Sequence, residues 1–216
     1  MPRAAGPRPR PGRAPGLPAG GQRQRGRPAA LRAAGLRLRL PLPLPQPREG
    51  SGVSLRRLRE SDLAAFQAYR QDTEVGRWQG WVPQPDEQAR AFLAEMAAIP
   101  LFQPGSWTQL AIADDATDAL LGDLGVHLSA DGREAEFGFS LARQAQGRGI
   151  ATAAVREGIA RVFAQTAAER IHAQTDARNT ACLRLLERLG GRRIARVDAE
   201  FRGEPCVEFR YELARR

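Results

Sequence analysis

The sequence predicts a mixed α/β fold: a mostly antiparallel sheet with a central parallel pair, flanked by helices. Three observations carry that prediction. Apolar residues alternate with polar ones in more segments than they repeat at helical spacing. The segments run strand, two helices, three strands, helix, strand, helix, two strands. One step in that order, strand–glycine turn–helix–strand, is the crossover that joins parallel neighbours. The 216 residues, 42% of them hydrophobic, have room for one ordinary domain with an appendage.

Charge and proline content place the appendage at residues 1–50. This stretch holds eleven arginines, one acid (Glu49) and eleven of the sixteen prolines, so it carries +10 of the total +9. Residues 51–216 are left near −1, and a basic-surface argument for nucleic-acid binding fails for the folded part. The prolines forbid a long helix or a ladder strand, so disorder is the expectation for 1–50. An arginine-rich transit peptide, a nucleic-acid arm and an over-long reading frame in a GC-rich gene compete with it. Leu40-Pro41-Leu42-Pro43-Leu44-Pro45 reads as a short polyproline-like spacer. Two cysteines, Cys182 and Cys206, give no disulfide framework, and two distant histidines give no metal cluster, so no metal is expected. No apolar run is long enough to span a bilayer as a helix.

In order, Val53 to Leu58 reads as a strand, and Glu60-Ser61-Asp62 caps a helix bearing Leu63, Phe66 and Tyr69. The Pro/Gly-flanked stretch Asp72 to Pro83 carries Trp78 and Trp81, which either line an acceptor pocket or pack over the sheet. Asp86 opens a second helix, ended by Pro100. Trp107 to Ala113 and Ala119 to Leu128 are strands joined by an acidic turn, with Gly122 and Gly125 as bulge or close-approach sites. Ala135, Phe137, Phe139 and Leu141 alternate in the strand that follows. Beyond the glycine turn, Ala151, Val155, Ile159 and Val162 share a helical face. Arg170 to Thr175 is a strand; Asn179 begins a helix with Leu183, Leu186 and Leu189 inward, and Gly190-Gly191 stops it. Arg192 to Glu200 and Cys206 to Leu213 close the chain as a hairpin turned at Gly203-Glu204-Pro205.

The chemistry gathers at Gln144-Ala145-Gln146-Gly147-Arg148-Gly149-Ile150-Ala151. Amides at a helix start lack internal partners and sit at the positive end of the macrodipole. Two glycines let the backbone approach a phosphate, and Arg148 adds charge. The dinucleotide motif is not met, because Thr152 stands at its third glycine; the phosphate-loop motif fails because the chain has no lysine. Spacing alone therefore gives an anion site.

Gln144-x-x-Gly147-x-Gly149 resembles the Gln/Arg-x-x-Gly-x-Gly/Ala signature of the GNAT acetyltransferases. Asn179-Thr180-Ala181-Cys182 with Leu185 and Gly190 resembles the same family's Asn-x-x-Ser/Ala-x-x-Leu-x-x-x-x-Gly pattern. The likeness runs from about Val53 to Leu213 and is nearest the ribosomal-protein N-terminal acetyltransferase branch. It implies the acyl-CoA N-acyltransferase fold and an acetyl-CoA-dependent transfer to a primary amine, a protein N-terminus or a small molecule. It also implies that Gln146, Gly147, Arg148, Gly149, Ile150 and Ala151 hold the pyrophosphate. Ser140, Leu141 and Ala142 would pair with the pantetheine arm, and Asn179 would contact it or cap its helix.

Acetyl transfer needs an oxyanion donor, a base and held substrates. An amide near Ser140 to Ala142 is the expected donor. Glu136, on the polar face of its strand, is the candidate base, and His127 the second. Cys182, standing where the family has Ser, is a candidate general acid against a packing role. The expected protein is a cytoplasmic monomer or homodimer, without membrane or nucleic-acid partners. A non-catalytic acyl-CoA-binding module is the rival from another class.

Overall fold

The computed structural model describes residues 52–215. Seven strands form one sheet, in the order β1-β2-β3-β4-β5-β7-β6. They are β1 (Val53–Arg57), β2 (Trp107–Asp114), β3 (Leu120–Leu128), β4 (Glu134–Leu141), β5 (Arg170–Asp176), β6 (Arg192–Phe201) and β7 (Glu204–Ala214). Every neighbouring pair is antiparallel except β4 and β5. The helices are α1 (Leu63–Arg70), α2 (Thr73–Gly76), α3 (Asp86–Ala98), α4 (Ile150–Gln165) and α5 (Thr180–Arg188). The appendage, residues 1–50, lies outside the described residues.

Two apolar clusters pack on the sheet, one on each face. Leu55, Ile112, Leu124, Val126 and Phe137 pack with Val155, Ile159 and Val162 of α4 in one cluster. Leu58, Ala111 and Leu120 pack with Phe66, Tyr69, Leu93 and Met96 of α1 and α3 in the other. Two close approaches fix the frame. Gly122 lies so near β4 that a Cβ there would sit 2.1 Å from the Ser140 carbonyl oxygen. The β2–β3 register slips between Ile112 and Ala113, leaving Leu121 as a bulge beside it.

Three local features differ from the sequence expectation. Glu60–Asp62 form a 3-10 turn that leaves Asp62 at the N-cap position of α1 without a side-chain cap bond: Asp62 instead accepts from the Arg59 amide at 2.8 Å and takes two bonds from Arg56, both 2.8 Å. Within the tryptophan segment, Asp72 Oδ1 accepts from the amides of Glu74 and Val75 and so nucleates α2. The last hairpin turns at Arg202-Gly203, both at positive φ, so that Glu204 and Pro205 belong to β7.

What positions the site is an interruption. β4 and β5 pair only from Glu134↔Arg170 to Phe137↔Ala173, then diverge. The hydrogen bonds Ser129 N–H to Glu134 O and Ala142 N–H to Leu121 O fix the ladder on the other side of β4. Antiparallel alternation therefore turns the backbone groups of residues 134, 136, 138, 140 and 142 toward β3. Those of Phe139 and Leu141 face the opening that β5 has left.

Candidate active site

The opening is a cleft of about 720 Å³ between β4 and β5, with α4 and α5 entering at its ends. Ser140, Leu141, Gln146, Gly147, Gly149, Ile150, Ala151 and Asn179 line it. Gly147 and Gly149 hold φ of +73° and +80°, a left-handed conformation that costs other residues about 1–2 kcal/mol. Gly149 is thereby the N-cap of α4, and the amides that follow it are the helix's unpaired donors. A Cβ on either glycine would meet nothing within 4 Å, so backbone conformation, not crowding, calls for glycine here.

Not every expected residue faces the cleft. Arg148 is exposed and is not among the residues that line it. Ala142 is buried against α1 and α3, its N–H spent on Leu121. Asn179 does cap α5, accepting from the Cys182 amide at 3.2 Å. Cys182 is half-buried in the cleft wall; burial pushes its thiol above the usual range, and the Thr175 hydroxyl pulls it partly back. Such a thiol stays protonated at neutral pH but is a poorer acid toward a coenzyme thiolate.

Glu136 and His127 lie elsewhere. They are register partners across β3 and β4, and His172 faces Glu136 from β5. The three line a separate depression of about 200 Å³ on the α1/α3 side of the sheet. The structure thus places Cys182 in the cleft and the two base candidates beside, not within, it.

Sequence reasoning missed the residues that join the cleft to its neighbour. A pocket of about 310 Å³ lies between α3 and strands β2 to β4, and it shares Gln79, Phe139 and Ser140 with the cleft. Gln79 Nε2 donates to Phe139 O at 2.9 Å, and Gln146 Nε2 to Leu141 O at 3.1 Å. Both carbonyls that face the opening are therefore held by side-chain amides, while the Phe139 and Leu141 N–H groups have no ladder partner. Arg202, from the last hairpin, donates to the carbonyls of Gly76, Gln79 and Trp81 at 3.1, 3.2 and 3.3 Å. Arg143 clamps Asp72 with two bonds of 2.6 and 3.0 Å, which holds the Asp72 carboxyl below the usual range. Arg77, Arg184 and Arg188 also line the cleft. The sequence signal for the last two was their place on the polar face of α5. Trp78 lines the cleft, within cation–π distance of Arg77 and Arg178, whereas Trp81 is buried at the neighbouring pocket and stacks on Arg70.

A half-unzipped parallel pair, a left-handed glycine turn and a helix start at its mouth define an acyl-CoA N-acyltransferase architecture. The chain belongs to the GNAT acetyltransferase family, whose domain model matches residues 53–192, and it is an N-acetyltransferase by class. Solved structures share the fold. A GNAT-family acetyltransferase from Bacillus anthracis aligns with a TM-score of 0.67 at 19% identity, over 76% of this chain and 95% of that one. RimL, a ribosomal alpha-N-protein acetyltransferase in complex with coenzyme A, gives 0.67 at 17%, over 76% and 95%. Spermidine N-acetyltransferase from Vibrio cholerae in complex with CoA and spermine gives 0.65 at 17%, over 76% and 96%. No curated protein matches the sequence. Among the described residues no helix is long and apolar enough to cross a membrane, and no group of His, Cys, Asp and Glu could hold a metal ion.

Proposed function

We propose that residues 51–216 form a catalytic domain that moves an acetyl group from acetyl-CoA to a primary amine by direct attack on the thioester. The carrying observation is the meeting of two cavities at Gln79, Phe139 and Ser140, beside backbone donors with no ladder partner. The pyrophosphate would lie on the amides after Gly147 and Gly149, with Gln146, Ile150 and Ala151 around it. Arg143, Arg184 and Arg188 would supply the charge. The pantetheine arm would run along Phe139 and Leu141 as an added strand, past Asn179.

In the reaction the amine nitrogen bonds to the acetyl carbon, and the carbonyl oxygen gains charge that a Phe139 or Leu141 N–H receives. The C–S bond then breaks, the coenzyme leaves as thiolate, and the amine's surplus proton passes to a base. Glu136 suits the last task through water. It shares a face of β4 with Gly138, two residues on, and Gly138 carries no side chain to block the way into the pocket. His127 lies against Trp107, ring centroids 5.3 Å apart and planes tilted by 42°, and would orient that path. A cytoplasmic location goes with this reading.

The test is coenzyme thiol release by the full chain against amines and N-terminal peptides, with calorimetric CoA binding alongside. Glu136→Gln should lower kcat by about a hundredfold or more with CoA affinity unchanged. Full rate in that variant at every pH removes Glu136 from the role, and failure to bind CoA removes the whole reading.

A further inference from the structure

The pocket beside the cleft has a marked chemical character. Trp81, Phe92, Met96, Ile99, Trp107 and Phe139 make its wall, and its charged lining residues, Glu95 and Asp123, are both acidic. Gln109, Gly125 and Gly138 face one another in register across β2, β3 and β4. Two of those three positions lack side chains, so the floor is a slot. A Cβ on Gly138 would meet nothing within 4 Å.

At the junction with the cleft stands Asp123, register partner of Ser140 and 1% exposed. Its Oδ2 accepts from Arg70 Nη2 at 2.8 Å and from the Tyr69 hydroxyl at 2.5 Å. Its Oδ1 accepts from Gln109 Nε2 at 2.8 Å. A carboxylate oxygen has two lone pairs, of which Gln109 takes one on Oδ1, and Asp123 is among the residues that line the pocket. Arg70 balances the charge from behind, stacked on Phe66 and Trp81. Glu95, exposed and without an ion-pair partner among the described residues, leaves the pocket net negative.

We propose that this pocket takes a small primary monoamine on an aromatic or alkyl body, of which phenethylamine is a type. The body lies against Trp81, Phe92 and Trp107, and the amine bonds to Asp123 Oδ1 at the junction. This rests on the acetyl-transfer reading and adds the acceptor class to it. A polyamine carries further cations, and Glu95 is the one unpaired carboxylate among the described lining residues to meet them. A peptide would strand backbone polar groups against the same wall, a cost the pocket does little to repay. An acceptor bearing a phosphate or carboxylate meets the wrong charge.

To test this, the full chain saturated with CoA is titrated with phenethylamine while tryptophan fluorescence is followed, since Trp81 and Trp107 are in the wall. Thiol release is measured for phenethylamine, spermidine and a short alanine-initiated peptide. The expected result is saturable binding and a kcat/KM for phenethylamine about tenfold or more above the other two. Gly138→Val fills the slot and should weaken phenethylamine binding about tenfold or more while calorimetric CoA affinity stays unchanged. No phenethylamine binding, no effect of Gly138→Val on it, or a higher kcat/KM for spermidine or the peptide overturns the proposal while CoA binding persists. Loss of CoA binding by the wild type instead removes the acetyl-transfer reading and this one with it.

Discussion

Gln79 Nε2 donates to the Phe139 carbonyl at 2.9 Å, across 60 residues of chain, where the cleft and the pocket share a wall. That carbonyl faces the opening, and under the function proposed above the pantetheine arm would compete with the glutamine for it. A net hydrogen bond is worth about 1 kcal/mol, so Gln79→Ala should tighten CoA binding by about fivefold in calorimetry. Gln79→Glu, which presents oxygen to oxygen, should tighten it at least as much. Weaker binding in both variants would make Gln79 a coenzyme ligand instead.

The turn before α4 demands glycine for its backbone. Gly149→Ala keeps the space but forces a methylated residue to φ near +80°, and should cost about 1–2 kcal/mol in urea unfolding. CoA affinity should fall with it, because the same torsion aims the helix amides. An unchanged melting temperature and affinity would mean the turn refolds without the left-handed residue.

Gly122 and Gly138 make opposite predictions on neighbouring strands. Gly122→Ala drives a methyl to 2.1 Å from the Ser140 oxygen and should destabilise by about 1–3 kcal/mol or more. Gly138→Ala meets open space and should stay within about 0.5 kcal/mol of wild type. Equal losses in thermal melts would contradict the register of β3 on β4.

The Arg70–Asp123 pair is buried, at 8% and 2% side-chain exposure. Burial works against the Arg70 charge, but the Asp123 carboxylate outweighs it and raises the pKa; burial also raises that of Tyr69. Asp123→Ala leaves a buried cation unpaired and should cost about 3–5 kcal/mol. Arg70→Met combined with Asp123→Leu should cost less than Asp123→Ala alone. A double variant that unfolds more readily than the single would show that the pair itself stabilises the fold.

The Cys182 thiol titrates above its ordinary value because it is buried. The folded state then binds that proton more tightly than the unfolded chain. Its contribution to stability is complete below the ordinary thiol pKa of about 8.5 and is lost as pH rises through the folded value. Cys182→Ala should remove that part of the alkaline decline. Iodoacetamide labelling of Cys182 should begin at higher pH than that of a free thiol, and labelling at neutral pH at the free rate would refute the burial argument.

The sequence reading located almost every strand and helix because alternation and helical period are local. It also located most of the cleft, since Gln146 to Ala151 is one continuous turn whose glycines advertise their torsions. What it could not supply depends on register. Asp123 reads as one more strand residue until β2 brings Gln109, and α1 brings Tyr69 and Arg70, to it. Gln79 sits in a segment recognised as acceptor-side, but nothing local links it to Phe139. Arg202 is an ordinary hairpin residue until the sheet order carries it across to the Gly76–Trp81 carbonyls. Glu136 stands on the polar face of its strand and His127 at the end of the one before, and their separation from the cleft depends on where β5 pairs.

In the finished sheet β7, made after β6, lies inside it, between β5 and β6. A ribosome working from the N-terminus therefore releases β5 with its outer edge bare, and β6 with nothing to pair against, until Glu204–Ala214 emerges. The nascent protein must wait for that late piece, exposed meanwhile to chaperones and to its own neighbours.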